Sequence, residues 1–493
     1  MGYPPTGEWL LVDGRHVQRV GTGEPPPADR VVAIPGATII PGFIDSHVHL
    51  TPTGQSLGDQ DVAATRSAGE LLAIAQARRA SAPDDPIVMS GFDETRWDRP
   101  DHPTLEDLDR VGGDAPLAIF RADGHIALAN AAAITASGVE AEFGVERAED
   151  GAPTGRLTQQ ASAKLSRWAT AALTDHQIQA LQLKGAALAA SRGITSIHEM
   201  QMPHDSGLRD LQVFLGHRER LPVDALPIVA TMDLPLAIDH GFASVGGDLP
   251  VDGSVGARTA ALMAPYADGP GDGTAYYTDD ELMAFFTGGH AAGLQVGVHA
   301  IGERGIEQVL AAWERVYGGL DSREKRHFRA RRHRVEHFEM ASPEQVERAA
   351  MLGLAVSVQP TFDAYWGQPG GLYDVALGWD RADAMNPFRT MIERGVEVGA
   401  GSDAPVTPLD PLLTVEALER HHSPAQRLSR SEAIRLHTIG SARLGHQEEK
   451  KGALAPGMHA DFVAYDADPF EVGSLGDLTP ILTVSLGREV FAA

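Results

Sequence analysis

Eight short apolar runs constrain this chain more than anything else in it: FIDSHVH, TSIHEM, PIVATM, VGGDLPV, QVGVHA, RVEHF, AVSVQP and VGAGSDA. Between them lie segments with apolar residues at helical spacing, among them DDELMAFFTGGHAAGL, RGIEQVLAAWERVY, SPEQVERAAMLG and SRSEAIRLHTIGSARLG. A strand that returns to a parallel neighbour needs such a helical crossover, so the alternation predicts parallel β structure, wound or barrel. No Gly-rich phosphate loop follows a first strand, which disfavours a dinucleotide fold. Eight strands fit a (β/α)8 TIM-type barrel, so the expected fold class is α/β.

Residues 53–175 break the alternation. They carry additional strands (PIVMSGFDE, PLAIFRAD) and the helix ASAKLSRWATAAL. They read as an inserted α+β subdomain over the barrel mouth, where the loop after the first strand projects. Both chain ends are β-prone: WLLVDG, HVQRVG, RVVAIPG and ATIIPG at the front, and HADFVAYD, ILTVSLG and REVFAA after the break at Ala455–Gly457. The expected division is a small β-sandwich from 1–42 and 445–493, a barrel from 43–52 and 176–444, and the insertion at 53–175. At 493 residues the chain is long enough for several cores.

Composition removes several chemistries. There is no cysteine, which excludes disulfides, thiolate metal sites and a cysteine nucleophile. A formal charge of -26 argues against nucleic acid or an anionic membrane as partner. No apolar run approaches the ~18 residues of a membrane span. The front segment MGYPPTGEWLLVDGR lacks the basic-then-apolar pattern of a secretory signal, so a cytoplasmic location is expected. The expected partners are a small-molecule substrate and a second copy of the chain, as a homodimer.

Polar residues gather at the carboxyl ends of the runs. His47 and His49 lie two apart on one strand and face the same side. His299 closes the fifth run, His337 the sixth and Asp403 the eighth. Four imidazoles and a carboxylate arriving from different strand ends form a nitrogen/oxygen set suited to a divalent metal, Zn²⁺ first among them. Such an ion brings the pKa of bound water towards neutrality. Asp403, able to touch both metal and water, is then the expected carrier of the water's proton to the leaving group. His337 is either a ligand or a hydrogen-bond partner of water or substrate carbonyl.

The motifs PGFIDSHVHL, GITSIHEM, DGSVGARTAAL, VGVHAIGERG, RVEHFEM and VGAGSDAPV, in this order, resemble the amidohydrolase superfamily. More narrowly, they are similar to its N-substituted formamide deformylase-like (YtcJ-like, amidohydrolase family 3) branch. The closing run KGALAPGMHADFVAYDADP is similar to the segment leading these enzymes into their β-sandwich. The resemblance implies that His47, His49, His299, His337 and Asp403 are metal ligands. It also exposes a departure. Many relatives carry on the fourth strand a carboxylated lysine that bridges two metals, and Asp248 occupies that position here. The five lysines all fall outside the predicted barrel strands. Asp248 is then either a shorter carboxylate ligand or a turn residue, and one essential ion is expected, with room for a second.

Four further residues are candidates for substrate contact. His125, in RADGHIALAN, matches a family segment that reaches into the pocket, where it would polarise a carbonyl; a capping role in its loop is the alternative. Trp97 offers an apolar wall or a buried structural ring. Arg258 and Arg304 offer an anion site or ion pairs with nearby acids. His198 and Glu199, ending the second strand, are candidates to orient ligands. The leading function is hydrolysis of a C–N bond, in an amide or N-substituted formamide. The rivals are deamination of a heterocyclic amine, for which Glu303 after His299 has a suggestive spacing, and a non-catalytic scaffold.

Overall fold

A computed structural model describes residues 7–58 and 61–493. Eight parallel strands form its central sheet: β1 (Phe43–Val48), β2 (Ile194–Gln201), β3 (Asp224–Val229), β4 (Ser244–Val245), β5 (Gln295–Ala300), β6 (Arg334–His337), β7 (Ala355–Val358) and β8 (Glu397–Ala400). Neighbours in sequence are neighbours in space. Beyond β8 the chain meets β1 again: Asp403 N donates to His47 O at 2.8 Å, and His49 N to Ala404 O at 3.0 Å. These two bonds and a parallel bridge between Val48 and Ala404 close the sheet into a barrel. The strands are buried on both faces. Val296, Val298, Val356 and Val358 pack outwards against helices, in one core with Phe286, Val309 and Trp313.

The fourth strand is much shorter than VGGDLPV suggested. Gly246 and Gly247 have φ of 87° and 53°, which stops strand pairing after Val245. A Cβ on Gly246 would lie 2.1 Å from Gly297 O, so no side chain fits there. The turn delivers Asp248 to the barrel mouth, and the chain then pairs with β5 through His299 N to Leu249 O, 2.9 Å.

The two chain ends meet. Thr38–Pro41 pairs antiparallel with Phe462–Tyr465, which continues through Pro480–Ser485 to Arg488–Ala492. The hairpin Trp9–Asp13/His16–Gly21 bridges to His459 and contributes Leu10 and Val12 to the apolar layer under Phe462 and Val484. RVVAIPG, expected as a strand, is extended coil with Val31 and Val32 exposed, because it finds no sheet edge to pair with.

Between β1 and β2 lies a five-stranded sheet in the order Ile87–Phe92, Leu117–Arg121, Ile126–Ala129, Pro153–Thr158, Val145–Arg147. It has apolar clusters of its own around Phe92, Leu117 and Leu128, and around Ala127, Leu157 and Leu165. Its Arg121 is buried in a three-way ion pair with Asp93, Glu94 and Asp123. Burial would raise the Glu94 carboxyl, but His102 and Arg121 hold it down, at about 2 against an ordinary 4.5. Its stabilising contribution is therefore complete above about pH 4.5 and lost as pH falls towards 2. Glu94→Gln is expected to flatten the decline in unfolding free energy across that interval, read by denaturant titration at several pH values. An unchanged acid limb would remove Glu94 as its source. Among the described residues, no helix is long and apolar enough to cross a membrane.

Candidate metal centre

The five predicted ligands and Asp248 converge at the carboxyl end of the barrel. β1 places His47 and His49 on one face. Nδ1 of His47 donates to Glu336 Oε2 and Nδ1 of His49 to Met200 O, both at 3.0 Å, so each Nε2 is left facing the mouth. Glu336 is itself clamped by Arg334, Nε to Oε1 at 2.8 Å. β5 presents His299, which turns Nε2 towards Gly253 O, 3.4 Å, and points Nδ1 at Asp248. His337 is the least regular. Arg334 and Glu336 alternate onto the inner face of β6, so His337 belongs outside, but a φ of 70° swings it in. Asp403 has a φ of 55°. Non-glycine residues rarely adopt such backbones, and they gather at functional sites.

The two carboxylates organise the histidines. Asp403 Oδ1 lies 3.4 Å from His47 Nε2 and 3.1 Å from His49 Nε2. Asp248 Oδ2 faces the same two atoms at 3.6 and 3.4 Å. The opposite oxygen, Oδ1, lies 3.2 Å from His299 Nδ1 and 3.4 Å from His337 Nε2. Ligands held 2.0–2.2 Å from a tetrahedral ion sit about 3.3–3.6 Å from one another. Four of the six separations fall in that range, and the other two, 3.1 and 3.2 Å, lie just below it. His47 Nε2 and Asp403 Oδ1 are buried without any hydrogen-bond partner, which a cation would relieve. The electrostatics agree. Burial would raise the Asp248 carboxyl, but the charge of His47 and hydrogen bonds from His299 and His337 hold it well below the carboxylate range. Burial would lower His47, but Asp403 and Asp248 push it up to about 10. The site demands positive charge, and the donor set fits a divalent metal.

The cluster opens into a cavity of about 800 Å³ whose far wall comes from the insertion. His125 lines it, with its ring 6.0 Å from that of His299, and burial keeps this imidazole below its ordinary value. Leu57, Phe143 and Tyr365 line it as large apolar side chains that are more than one-third exposed. Three other sequence candidates lie elsewhere. Trp97 is buried in the insertion's core, 5.8 Å from the ring of Phe92. Arg258 is bound to Asp268 and to the carbonyls of Val255 and Gly256. Arg304 is spent on the carbonyls of Leu262, Asp272 and Gly273. Both arginines tie down the loop after β4, which supplies carbonyls and an acid within reach. His198 accepts from Arg334 at 2.9 Å, and Glu199 receives the amide of Leu50 at 3.0 Å, each one step behind the ligands.

Sequence reasoning missed Glu336, Arg121 and the pair Glu339–Tyr373. The first had a signal: Arg334 and Glu336 are charges two apart on a strand with apolar surroundings, which is costly unless they pair. Tyr373 donates to Glu339 Oε2 at 2.6 Å, while burial brings that carboxyl up to about 7. Nothing local in the sequence joins these two residues.

Comparison with known proteins places this architecture. The model of the amidohydrolase family matches residues 30–491. YtcJ of Bacillus subtilis (strain 168) is 29% identical over 90% of this chain and 87% of its own. The N-substituted formamide deformylase of Arthrobacter pascens is 25% identical, covering 96% of this chain and 93% of its own. A solved structure from Pyrococcus furiosus, described as an uncharacterized metal-dependent hydrolase, superposes with a TM-score of 0.72 at 25% identity, covering 94% of this chain and 95% of that one. A family match of this extent makes the chain a member of the amidohydrolase family, a hydrolytic enzyme that works with a divalent metal.

Proposed function

We propose that the enzyme hydrolyses a C–N bond in amides of small acyl groups, the N-substituted formamide type included, with zinc as its metal. The observation that carries this reading is the division of Asp248, whose two oxygens face two separate pairs of histidines. On that geometry His47, His49 and Asp403 would hold one ion, His299 and His337 a second, and Asp248 both. On this reading Asp248 would stand in the place of a bridging lysine, and the second ion for which the sequence left room would be bound as well. Bound ions would supply activated water and a polarised carbonyl. The chain's own residues do the rest. Asp403, at the cavity wall, takes the water's proton at a carboxylate oxygen and hands it to the leaving nitrogen. His125 faces the substrate carbonyl from across the cavity. Leu57, Phe143 and Tyr365 receive an apolar substituent on that nitrogen. We assign residues 53–175 as the substrate-facing insertion, with the barrel at 43–52 and 176–444 and the sandwich at 1–42 and 445–493.

The deaminase reading gains nothing from Glu303. Its side chain meets Arg381 at 3.2 Å, at the start of a helix outside the cavity lining. Metal quantification on the purified protein, followed by a screen of N-formyl, N-acyl and heterocyclic amine substrates, tests the proposal. Release of formate or a carboxylate with close to two metals per chain is expected. Release of ammonia from heterocycles alone would overturn it.

A further inference from the structure

The large cavity adjoins a second, smaller chamber of about 40 Å³. It is lined by His299, His337 and Asp403 of the cluster, by His125, and by Glu339 and Tyr373. A water needs about 10–15 Å³ of such space, so the chamber accepts roughly three heavy atoms. It lies beside the proposed reacting centre and is too small for a bulky substituent. It therefore suits the carbonyl side of the scissile bond, while the 800 Å³ cavity suits the nitrogen side.

The chamber's polar groups state what that small fragment should carry. Each nitrogen of Arg121 is tied to an acid, with Nε on Glu94, NH1 on Asp123 and NH2 on Asp93. Asp123 is committed too: Oδ2 accepts from Arg121 and Ser254, and Oδ1 accepts from the amide of His125. Tyr373 spends its one donor on Glu339 Oε2. Glu339, 3% exposed, retains a second carboxylate oxygen and a place on the chamber wall. A buried acceptor beside the reacting centre calls for a donor on the substrate. A formyl or acetyl group has none.

We infer that the small chamber holds a carbamoyl group, its NH₂ donating to Glu339, and that N-monosubstituted ureas with an apolar substituent are substrates. This rests on the hydrolase reading above. The three heavy atoms of a carbamoyl group match the space. Water adds at the carbamoyl carbon, the bond to the substituted nitrogen breaks, and the water's proton goes to that nitrogen. The products are a primary amine and carbamate, which falls apart to carbon dioxide and ammonia without any redox partner.

The test compares N-benzylurea, N-benzylformamide and N-benzylacetamide on the full metal-loaded chain at pH 8. The urea should lead the formamide by more than tenfold in kcat/KM. Glu339→Met should lower the urea value at least tenfold and the formamide value less than threefold. Tyr373→Phe, which leaves the carboxylate in place, should change the urea value less than threefold. A formamide as good as the urea, or a Glu339→Met loss shared equally by both, would overturn the inference. Calorimetric binding of N-benzylurea in an Asp403→Asn background reads the chamber without turnover. Affinity at least tenfold weaker on adding Glu339→Met supports the carbamoyl subsite; if none of the three compounds is hydrolysed, the C–N hydrolase reading and the assignment of ureas as substrates both fall and the subsite alone stands. Equal affinity with and without Glu339 sinks the subsite.

Discussion

Asp403→Asn is expected to lower kcat by about 10²–10⁴-fold, the range a positioned general base supplies, while leaving the bound metal in place. Asp403 reaches the site from just beyond β8, with its backbone amide fixed on His47 O at 2.8 Å. Burial would raise its carboxyl, but the imidazoles of His47 and His49 hold it down, so it is ionised and ready to accept a proton at neutral pH. Its Oδ1, 3.1 Å from His49 Nε2, has no hydrogen-bond partner. Asparagine keeps an oxygen at that place and so keeps a ligand, but it cannot carry a proton. Steady-state hydrolysis and atomic spectroscopy on the same preparation separate the two roles. Full activity would remove Asp403 from the proton path. Loss of metal together with activity would recast it as a ligand first.

The sequence carried the barrel because its evidence is distributed: eight apolar runs and the helices between them all point to one architecture. His47, His49, His299 and Asp403 were legible for a related reason. Each of the three histidines continues the inward-facing alternation of its own strand, so position in the run is enough to aim the side chain. Asp403, by contrast, lies beyond β8 at a φ of 55° and was legible only as the polar end of its run. His337 breaks that rule, and only a φ of 70° brings it inward, which no periodicity announces. The Asp248 turn is equally silent, because Gly246 and Gly247 end the strand and reset its direction. Trp97, Arg258 and Arg304 show the limit of reading single residues. A tryptophan or arginine near a strand end has many neighbours to satisfy it, and here the core of the insertion and the carbonyls of the loop after β4 did so. Glu339 and Tyr373 lie 34 residues apart, joined only by the fold.

Asp248→Asn is expected to take the protein from close to two metals per chain to one, with activity falling by about 100-fold or more. That floor comes from the 10–100-fold typical of residues one step behind a ligand, since Asp248 stands in front of them. The argument turns on its symmetry of use. One oxygen serves His47 and His49 at 3.6 and 3.4 Å, and the other serves His299 and His337 at 3.2 and 3.4 Å. An asparagine keeps the shape but converts one of those oxygens to an amide NH₂, which donates and cannot ligate. One histidine pair then loses its carboxylate. The pair formed by His47 and His49 retains Asp403 as a second carboxylate at 3.4 and 3.1 Å, whereas His299 is grouped with no carboxylate but Asp248 among the metal-candidate clusters of the described residues. The surviving ion should therefore be the one held by β1, and His299→Ala added to Asp248→Asn should leave its stoichiometry unchanged. A wild-type protein with one metal, unaltered in Asp248→Asn, would return Asp248 to the role of a turn residue that happens to face the histidines.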